Sequence, residues 1–193
     1  MTTLHTQRLV MRPPEPSDWP AFRNFMLSDR AGAFGSHGHE GRAFRSFAAE
    51  LGHWEIFGYG MWAVTEAGGG DTLALVGPWS PPDWPEPEIG WMVLAAEAEG
   101  KGVAFEAARA ALAHAFDALG WDTAVSYIAE GNLRSVALAE RLGAALDPTA
   151  QAPEAAKPIL VYRHFRPEPG PARAIPAETA IPSETAIPSE TTA

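Results

Sequence analysis

Apolar and polar residues follow two different periods along this chain, and the changes between them mark the predicted elements. Short apolar runs bounded by turn residues predict strands over residues 8–12, 61–66, 72–77, 88–94, 123–128 and 159–165. Apolar positions at steps of three and four predict helices over residues 19–26, 42–57, 104–119 and 133–142. This mixture of strands and helices predicts an α/β (α+β) domain.

The connections between these elements predict part of the sheet topology. Strands 61–66 and 72–77 are joined by Ala67-Gly-Gly-Gly-Asp71, which favours an antiparallel hairpin. Residues 88–94 are apolar almost throughout, as is typical of a strand buried on both faces. If helix 104–119 is a right-handed crossover, strand 123–128 lies parallel to strand 88–94.

Three local patterns carry finer expectations. Asp18 is a suitable N-cap for the first helix, and Asn132 for the last. Residues 78–87 are rich in proline, so we expect an irregular surface loop in which Trp79 and Trp84 either line a pocket or cover the core. In the second helix, one apolar face is expected to hold Phe44, Phe47, Leu51 and Trp54.

The end of the chain repeats with a period of six. Ile175-Pro-Ala-Glu-Thr-Ala is followed by two nearly identical units, each with one large apolar residue and one proline. Such units bury too little apolar surface to offset the entropy of ordering them. The sequence therefore predicts a domain over residues 1–167 and a disordered low-complexity tail over residues 168–193 without a catalytic role.

A glycine turn lies between strand 88–94 and helix 104–119. Gly100-Lys101-Gly102 offers two residues without a Cβ directly before the start of a helix, where backbone N–H groups are unpaired and the helix dipole is positive. Phosphate or pyrophosphate is the expected guest. Phe105 replaces the third glycine of a dinucleotide fingerprint, and a plain tight turn remains the alternative interpretation.

Composition narrows the function classes. The chain has no cysteine and a net charge of −10 at pH 7, so a thiolate site is excluded and nucleic acid is a poor partner. The acidic surface is compatible with cationic acceptors, although solvation is a commoner reason for it. No run is long enough to span a membrane, and a cytoplasmic protein is expected. His37, His39 and Glu40 favour a solvated loop over a metal site, so no metal is expected.

Three blocks resemble the GNAT acetyltransferases, and in particular the branch that acetylates ribosomal-protein alanine and serine N-termini. Thr6-Gln-Arg-Leu-Val-Met-Arg-Pro13 is similar to the opening of that branch, and Glu88-Ile-Gly-Trp91 to its fourth strand. Asn132 and Ser135, followed by Leu142-Gly143, resemble its late Asn-x-x-Ser motif. The glycine turn resembles the Gln/Arg-x-x-Gly-x-Gly/Ala loop that binds the pyrophosphate of acyl-CoA, with Glu97 departing at the first position.

The resemblance implies the GNAT fold, with a mixed, mostly antiparallel sheet, a splayed parallel strand pair, and helices on both faces. It implies acetyl-CoA as donor and direct transfer, in a ternary complex, to a small-molecule amine or a protein N-terminus. A homodimer is compatible with the sequence. The cofactor-binding residues that it implies are Met92, Val93, Leu94, Gly100, Lys101, Gly102, Val103, Ala104, Asn132 and Ser135.

Glu88 is the candidate catalytic base, because it begins the central strand where the site is expected to open. A solvated acid at the strand end is the alternative. In many GNAT enzymes a tyrosine serves as general acid, and the resemblance places Ala139 at its position here. Tyr127 and Ser126 are then the candidate hydroxyls for a general acid. Glu97 and Ala139 together keep open a second hypothesis, a catalytically silent acyl-CoA-binding module.

Overall fold

One mixed sheet of eight strands runs through the protein. The computed structural model describes residues 2–34, 38–155 and 157–167, so His37 and the predicted tail lie outside the described residues. The strands follow the spatial order β1-β2-β3-β4-β5-β6-β8-β7. Their bounds are β1 Leu4–His5, β2 Leu9–Arg12, β3 Trp62–Glu66, β4 Ala74–Trp79, β5 Glu88–Val93, β6 Thr123–Ala129, β7 Ala145–Leu146 and β8 Ile159–Phe165.

The central strands β5 and β6 form the one parallel pair among the described strands, and they separate after their first residues. Glu88 lies opposite Val125, and the Val125 N–H donates to Pro87 O at 3.0 Å. Every other neighbouring pair of described strands is antiparallel, including the predicted β3–β4 hairpin. The expected mostly antiparallel sheet with a splayed parallel pair is confirmed.

Helices cover both faces of the sheet, as expected. On one face lies α3 (Val103–Asp117), whose fully buried side chains are alanines, so that the helix axis approaches the strands closely. On the other face lie α1 (Trp19–Met26) and α2 (Glu40–Phe57), packed around Phe22 and Phe47. A fourth helix, α4 (Leu133–Arg141), packs beside β6 and β8.

Strand β5 contributes to the cores on both faces. Ile89 packs in the cluster that contains α3, whereas Met92 packs in the cluster that contains α1 and α2. Trp91 and Val93 are partly buried against the α3 side. The prediction of a strand covered on both faces is therefore confirmed, and β5 is held firmly where it separates from β6.

Asp18 occupies the predicted N-cap position of α1, but its side chain makes no capping hydrogen bond to that helix. Its buried carboxylate instead accepts two 2.8 Å hydrogen bonds from Arg12 and one from the Thr72 hydroxyl. Burial would raise the pKa of this carboxyl, but these donors outweigh burial and lower the pKa. Asp18 therefore joins β2 to the start of β4 across the sheet.

Two further expectations were wrong in part. Phe44 is 62% exposed and contacts the Trp19 ring at its edge, so it does not share the buried face of α2 with Phe47 and Trp54. The loop predicted from residue 78 begins later, because Pro78 and Trp79 continue β4 opposite Ile89 and Glu88. The two-residue edge strands β1 and β7 are too short to leave a period in the sequence.

Candidate active site

A cavity of about 370 Å³ opens where β5 and β6 separate. Both strands line it, and so does α2, which lies on the same face of the sheet as α1. Its apolar wall includes Phe22, Met61, Trp79 and Trp84. Its charged groups, among the described lining residues, are the carboxylates of Glu50, Glu88 and Glu154. The divergence of one strand pair thus creates a pocket with aromatic walls and acidic side chains.

The edge of β5 offers backbone donors to this gap, although not at every predicted position. The Leu94 N–H donates to Leu73 O at 2.8 Å and is therefore used within the sheet. Because N–H groups alternate sides along a strand, the Met92 N–H also faces β4, whereas those of Trp91 and Val93 face the gap. Of the predicted residues 92–94, Val93 keeps its donor toward the gap, and Trp91 adds a second donor.

Arg30 closes the far end of the β5 edge. Its guanidinium donates to Val93 O at 2.8 Å and to Leu94 O at 2.7 Å. It also pairs with Glu99 at 2.6 Å, and Glu99 in turn pairs with Arg134 of α4 at 2.6 Å. Glu97, the acid that departs from the family loop, is exposed. The ion pairs among Arg30, Glu99 and Arg134 thus connect the end of β5, the glycine turn and α4.

The glycine turn has the backbone that the sequence predicts. Gly100 and Gly102 have φ values of +72° and +80°, where side chains other than glycine are strained, and Gly102 is the N-cap of α3. The N–H groups of the first turn of α3, which includes Val103 and Ala104, have no partners within the helix. These donors and the positive end of the helix dipole suit an anionic phosphate group.

Arg8 fastens this turn to the first part of the chain. Its guanidinium donates to Lys101 O at 3.3 Å and pairs with Glu106 of α3 at 2.7 Å. A Cβ placed on Gly102 would lie 3.5 Å from Arg8 Nη2, which is an ordinary contact. The requirement for glycine therefore comes from the backbone conformation rather than from crowding, and a cation stands beside the turn.

Asn132 and Ser135 come together at the start of α4, as the late motif predicts. The Asn132 side chain accepts a hydrogen bond from the Ser135 N–H at 3.2 Å, which confirms its role as a helix cap. Ser135 Oγ accepts from the Trp91 indole N–H at 3.1 Å. Both residues line the cavity, and this indole ties α4 to β5 across the gap.

Glu88 lies in the cavity rather than on an open surface. Its carboxylate accepts a hydrogen bond from the Trp84 indole N–H at 2.6 Å and a longer one, at 3.4 Å, from the Tyr127 N–H. Burial raises the pKa of Glu88 to about 7, although both hydrogen bonds act to lower it. A carboxylate with this pKa can accept a proton at neutral pH, as a general base must. Trp84, left open by the sequence, lines the pocket.

Glu50 was missed by the sequence analysis. It is 5% exposed, lines the same cavity from α2, and its Oε2 has no hydrogen-bond partner among the described residues. Burial and the negative charge of Glu88 raise the pKa of Glu50 to about 8. A signal was present, because Glu50 lies three residues after Phe47 and four before Trp54, on the helix face that is otherwise apolar.

Replacing Glu50 with glutamine is expected to stabilise the protein at pH 8 and to change its stability little at pH 4.5. The folded pKa is raised, so the stability associated with the neutral carboxyl is present below pH 4.5 and is lost as pH rises toward 8. From the size of this shift, the gain at pH 8 is roughly 2–4 kcal/mol. Urea unfolding at both pH values measures it, with the exposed Glu154→Gln as control. An equal gain at both pH values would contradict this account.

The hydroxyl groups near the cavity differ in what they can donate. Ser126 Oγ donates to Ile89 O at 2.7 Å and lies 3.0 Å from His164 Nε2, so its hydrogen is already used. Ala139 is fully buried and offers no hydroxyl. Burial raises the pKa of Tyr127 to about 12. Tyr127 therefore remains protonated at neutral pH; it lines the cavity, as Ser126 does, and its hydroxyl is buried with no hydrogen-bond partner among the described residues.

The residues around the second predicted helix do not assemble a metal site within the described part of the chain. His39 is the N-cap of α2, and Glu40 pairs with Arg23. Across residues 2–34, 38–155 and 157–167, no three His, Asp or Glu side chains are grouped as metal ligands would be. No helix in these same ranges has the length and apolar character needed to cross a bilayer.

Comparison with known proteins agrees with this geometry. Residues 8–145 match the family model of the acetyltransferase (GNAT) domain. An acetyltransferase from Agrobacterium tumefaciens str. C58 is 36% identical, covers 86% of this chain and 95% of its own, and superposes with a TM-score of 0.80. The protein is thus an acetyltransferase that depends on acetyl-CoA. It belongs to the GNAT family.

More distant structures share the fold. The ribosomal-protein-S5-alanine acetyltransferase from Vibrio fischeri is 13% identical over 86% of this chain and 97% of its own, with a TM-score of 0.63. The RimL ribosomal α-N-protein acetyltransferase in complex with coenzyme A is 14% identical over 85% of this chain and 98% of its own, with a TM-score of 0.66. The resemblance to the ribosomal-protein branch is confirmed at the level of the fold.

Proposed function

We propose that this enzyme is an N-acetyltransferase that transfers the acetyl group to a primary amine by direct attack in a ternary complex. The observation that carries the proposal is Glu88, a partly buried carboxylate with a pKa of about 7 inside the cavity between β5 and β6. A primary amine is largely protonated at neutral pH and must lose a proton before it becomes a nucleophile. Glu88 is suited to take that proton.

The residues around the gap fit acetyl-CoA. The turn at Gly100, Lys101 and Gly102, together with the N–H groups of Val103 and Ala104, would hold its diphosphate. The free edge of β5 at Trp91 and Val93 would pair with the amide groups of its pantetheine arm, as an added strand would. Asn132 and Ser135 would form the opposite wall. Bound there, acetyl-CoA supplies the activated acetyl group as a thioester.

The reaction then needs two contributions from the protein. Glu88 accepts the proton that the ammonium releases, so that the neutral nitrogen can form the C–N bond while the C–S bond of the thioester breaks. The gap-facing N–H of Trp91, the nearer of the two to Glu88 along the strand, would donate to the carbonyl oxygen as it becomes negative, while that of Val93 stays with the pantetheine arm. The nitrogen loses its second proton as the sulfur of coenzyme A takes one up and leaves as the thiol, and the proton held by Glu88 passes to solvent, so that the protons balance. No covalent intermediate on the enzyme is needed, which suits a chain without cysteine.

The proposed acceptors are small-molecule amines and protein N-termini. An α-amine has a pKa of about 8, lower than that of a lysine side chain, so Glu88 can deprotonate it more readily. The fold shared with ribosomal-protein acetyltransferases favours the protein N-terminus.

The proposal includes a cytoplasmic location and a catalytic domain within residues 1–167, both predicted from the sequence alone.

Turnover of acetyl-CoA, followed by release of its thiol, tests the proposal. We expect release to depend on a primary amine when a panel of small amines and N-terminal peptides is offered. The second candidate, a silent acyl-CoA-binding module, is favoured by Ala139 and the exposed Glu97. Tight binding of coenzyme A with no thiol release on any amine would favour that module and overturn the proposed transfer to a primary amine. Thermal stabilisation by coenzyme A, compared with ADP, reports binding separately.

A further inference from the structure

The cavity holds charges of one sign. Its described lining includes the carboxylates of Glu50, Glu88 and Glu154, and it includes no arginine, lysine or histidine. Glu154 is exposed and solvated, whereas Glu50 is buried. Two carboxylates that share a desolvated space repel one another, which is unfavourable unless a proton or a cation lies between them.

Glu50 lacks the partners that a buried carboxylate usually has. No described residue donates a hydrogen bond to its Oε2. An unsatisfied buried polar atom in a native structure needs an explanation, and a ligand that binds there is one. Glu50 forms no ion pair within the described lining of the cavity, which holds no cation, and Arg30 at the far end of the β5 edge is used in contacts with Glu99 and with Val93 O.

His53, one turn further along α2, does not supply the missing charge. Its Nδ1 lies 2.7 Å from Tyr59 O, and its Nε2 accepts a hydrogen bond from the Ser80 N–H at 3.1 Å. An imidazole that donates at one nitrogen and accepts at the other is neutral. Burial lowers its pKa as well, despite these hydrogen bonds.

The walls beside these carboxylates suit an organic cation. Trp79 and Trp84 line the cavity together with Phe22 and Tyr127. Trp79 is held by stacking on His53 at 4.6 Å, and Trp84 is held by its hydrogen bond to Glu88. Aromatic faces attract ammonium groups more strongly once water is excluded. The pocket thus combines carboxyl groups that share it with no described cation and aromatic rings that are held in position.

We infer that Glu50 is the residue that recognises the acceptor, and that it binds the acceptor as an ammonium ion held between Glu50 and Glu88. This inference rests on the proposed function, since it assigns the charge state in which the amine enters. The entering ammonium takes the place of the proton that Glu50 holds at neutral pH, so that Glu50 becomes its counter-ion, and Glu88 then removes one proton from the bound ammonium. The acceptor class is accordingly a primary amine that carries an apolar group for the aromatic wall, rather than a neutral or acidic molecule.

The test separates binding of the acceptor from chemistry. For the primary amine that the wild-type enzyme acetylates best, Glu50→Gln is expected to raise the acceptor KM about 10- to 100-fold and to change kcat by less than about fivefold. The KM for acetyl-CoA should stay unchanged. Glu154→Gln, a solvated carboxylate in the same cavity, is the matched control and should change the acceptor KM less than about twofold. An unchanged acceptor KM in Glu50→Gln would overturn the inference.

A binding experiment distinguishes this inference from the proposed function. Calorimetry on the enzyme saturated with coenzyme A compares benzylamine, a cation at pH 7, with benzyl alcohol, its neutral counterpart. Preference for benzylamine that Glu50→Gln abolishes supports the inference, even if no acceptor in the panel is turned over. Equal affinity for the two compounds overturns it, even if turnover confirms the enzyme. Measured stability of Glu50→Gln shows that the variant is folded in both experiments.

Discussion

Replacing Glu88 with glutamine is expected to lower kcat/KM for the acceptor at least 100-fold. Glutamine keeps the shape of the side chain and a hydrogen-bonding oxygen for the Trp84 indole, but it cannot accept a proton. General bases typically contribute 10²- to 10⁴-fold. Steady-state assays of thiol release measure the loss. Glu154→Gln is the control, because it removes only a solvated carboxylate and should leave the rate nearly unchanged.

The pH profile tests the role of Glu88 more specifically. Burial raises its pKa to about 7, so the fraction in the basic form rises as the pH increases through 7. In the wild-type enzyme, kcat/KM should therefore rise through an apparent pKa near 7 that belongs to the Glu50–Glu88 pair. The residual activity of Glu88→Gln should lack this limb. If the same limb persists in the variant, another group is the base.

Replacing Gly102 with glutamate is expected to weaken binding of coenzyme A about 100-fold or more. The substitution places a side chain on a residue with φ +80° and sets a carboxylate at the start of α3, where the diphosphate is expected. Like charges at this position oppose each other, and the strained backbone displaces the N–H groups that would bind the phosphates. Calorimetric titration with coenzyme A at a fixed salt concentration measures the change.

Gly120→Glu is the matched control for strain. Gly120 has φ +72°, close to the +80° of Gly102, and a Cβ added there meets open space. It lies after the C-terminal end of α3 instead of before the N-terminal end. Both variants should lose stability by a similar amount, on the order of 1 kcal/mol, from the left-handed backbone. Affinity for coenzyme A should fall in Gly102→Glu alone. Unchanged affinity there would separate the turn from the coenzyme and remove the basis for placing the diphosphate.

Local patterns were sufficient to predict most of the fold. Strand β5 has an apolar sequence that suits two covered faces, and the crossover through α3 dictates that β6 lies parallel to it. The glycines and Asn132 also act locally, since a positive φ and a helix cap each depend on a few neighbouring residues. The separation of β5 from β6 came from the family resemblance, because no property of either strand alone requires it.

Contacts between residues distant in sequence were beyond such reasoning. Arg30 bonds carbonyl groups 63 and 64 residues away, and the Thr72 hydroxyl bonds the Asp18 carboxylate 54 residues away. In the sequence, Glu50 looked like one acid on an amphipathic helix; its role depends on its burial and on the cavity that it shares with Glu88, 38 residues later. Pairing and desolvation are set by the tertiary fold, so they decide which charged side chains become functional.

The contacts of Arg8 with Lys101 O and Glu106 have a consequence for the coenzyme site. Arg8, which directly precedes β2, thus fixes the position of the turn before α3, although 93 residues separate Arg8 from Lys101 along the chain. A change that destabilises the edge of the sheet at β1 and β2 would therefore displace the start of α3. The enzyme would then bind acetyl-CoA more weakly, while the acidic pocket for the acceptor, built from α2 and β5, stayed intact.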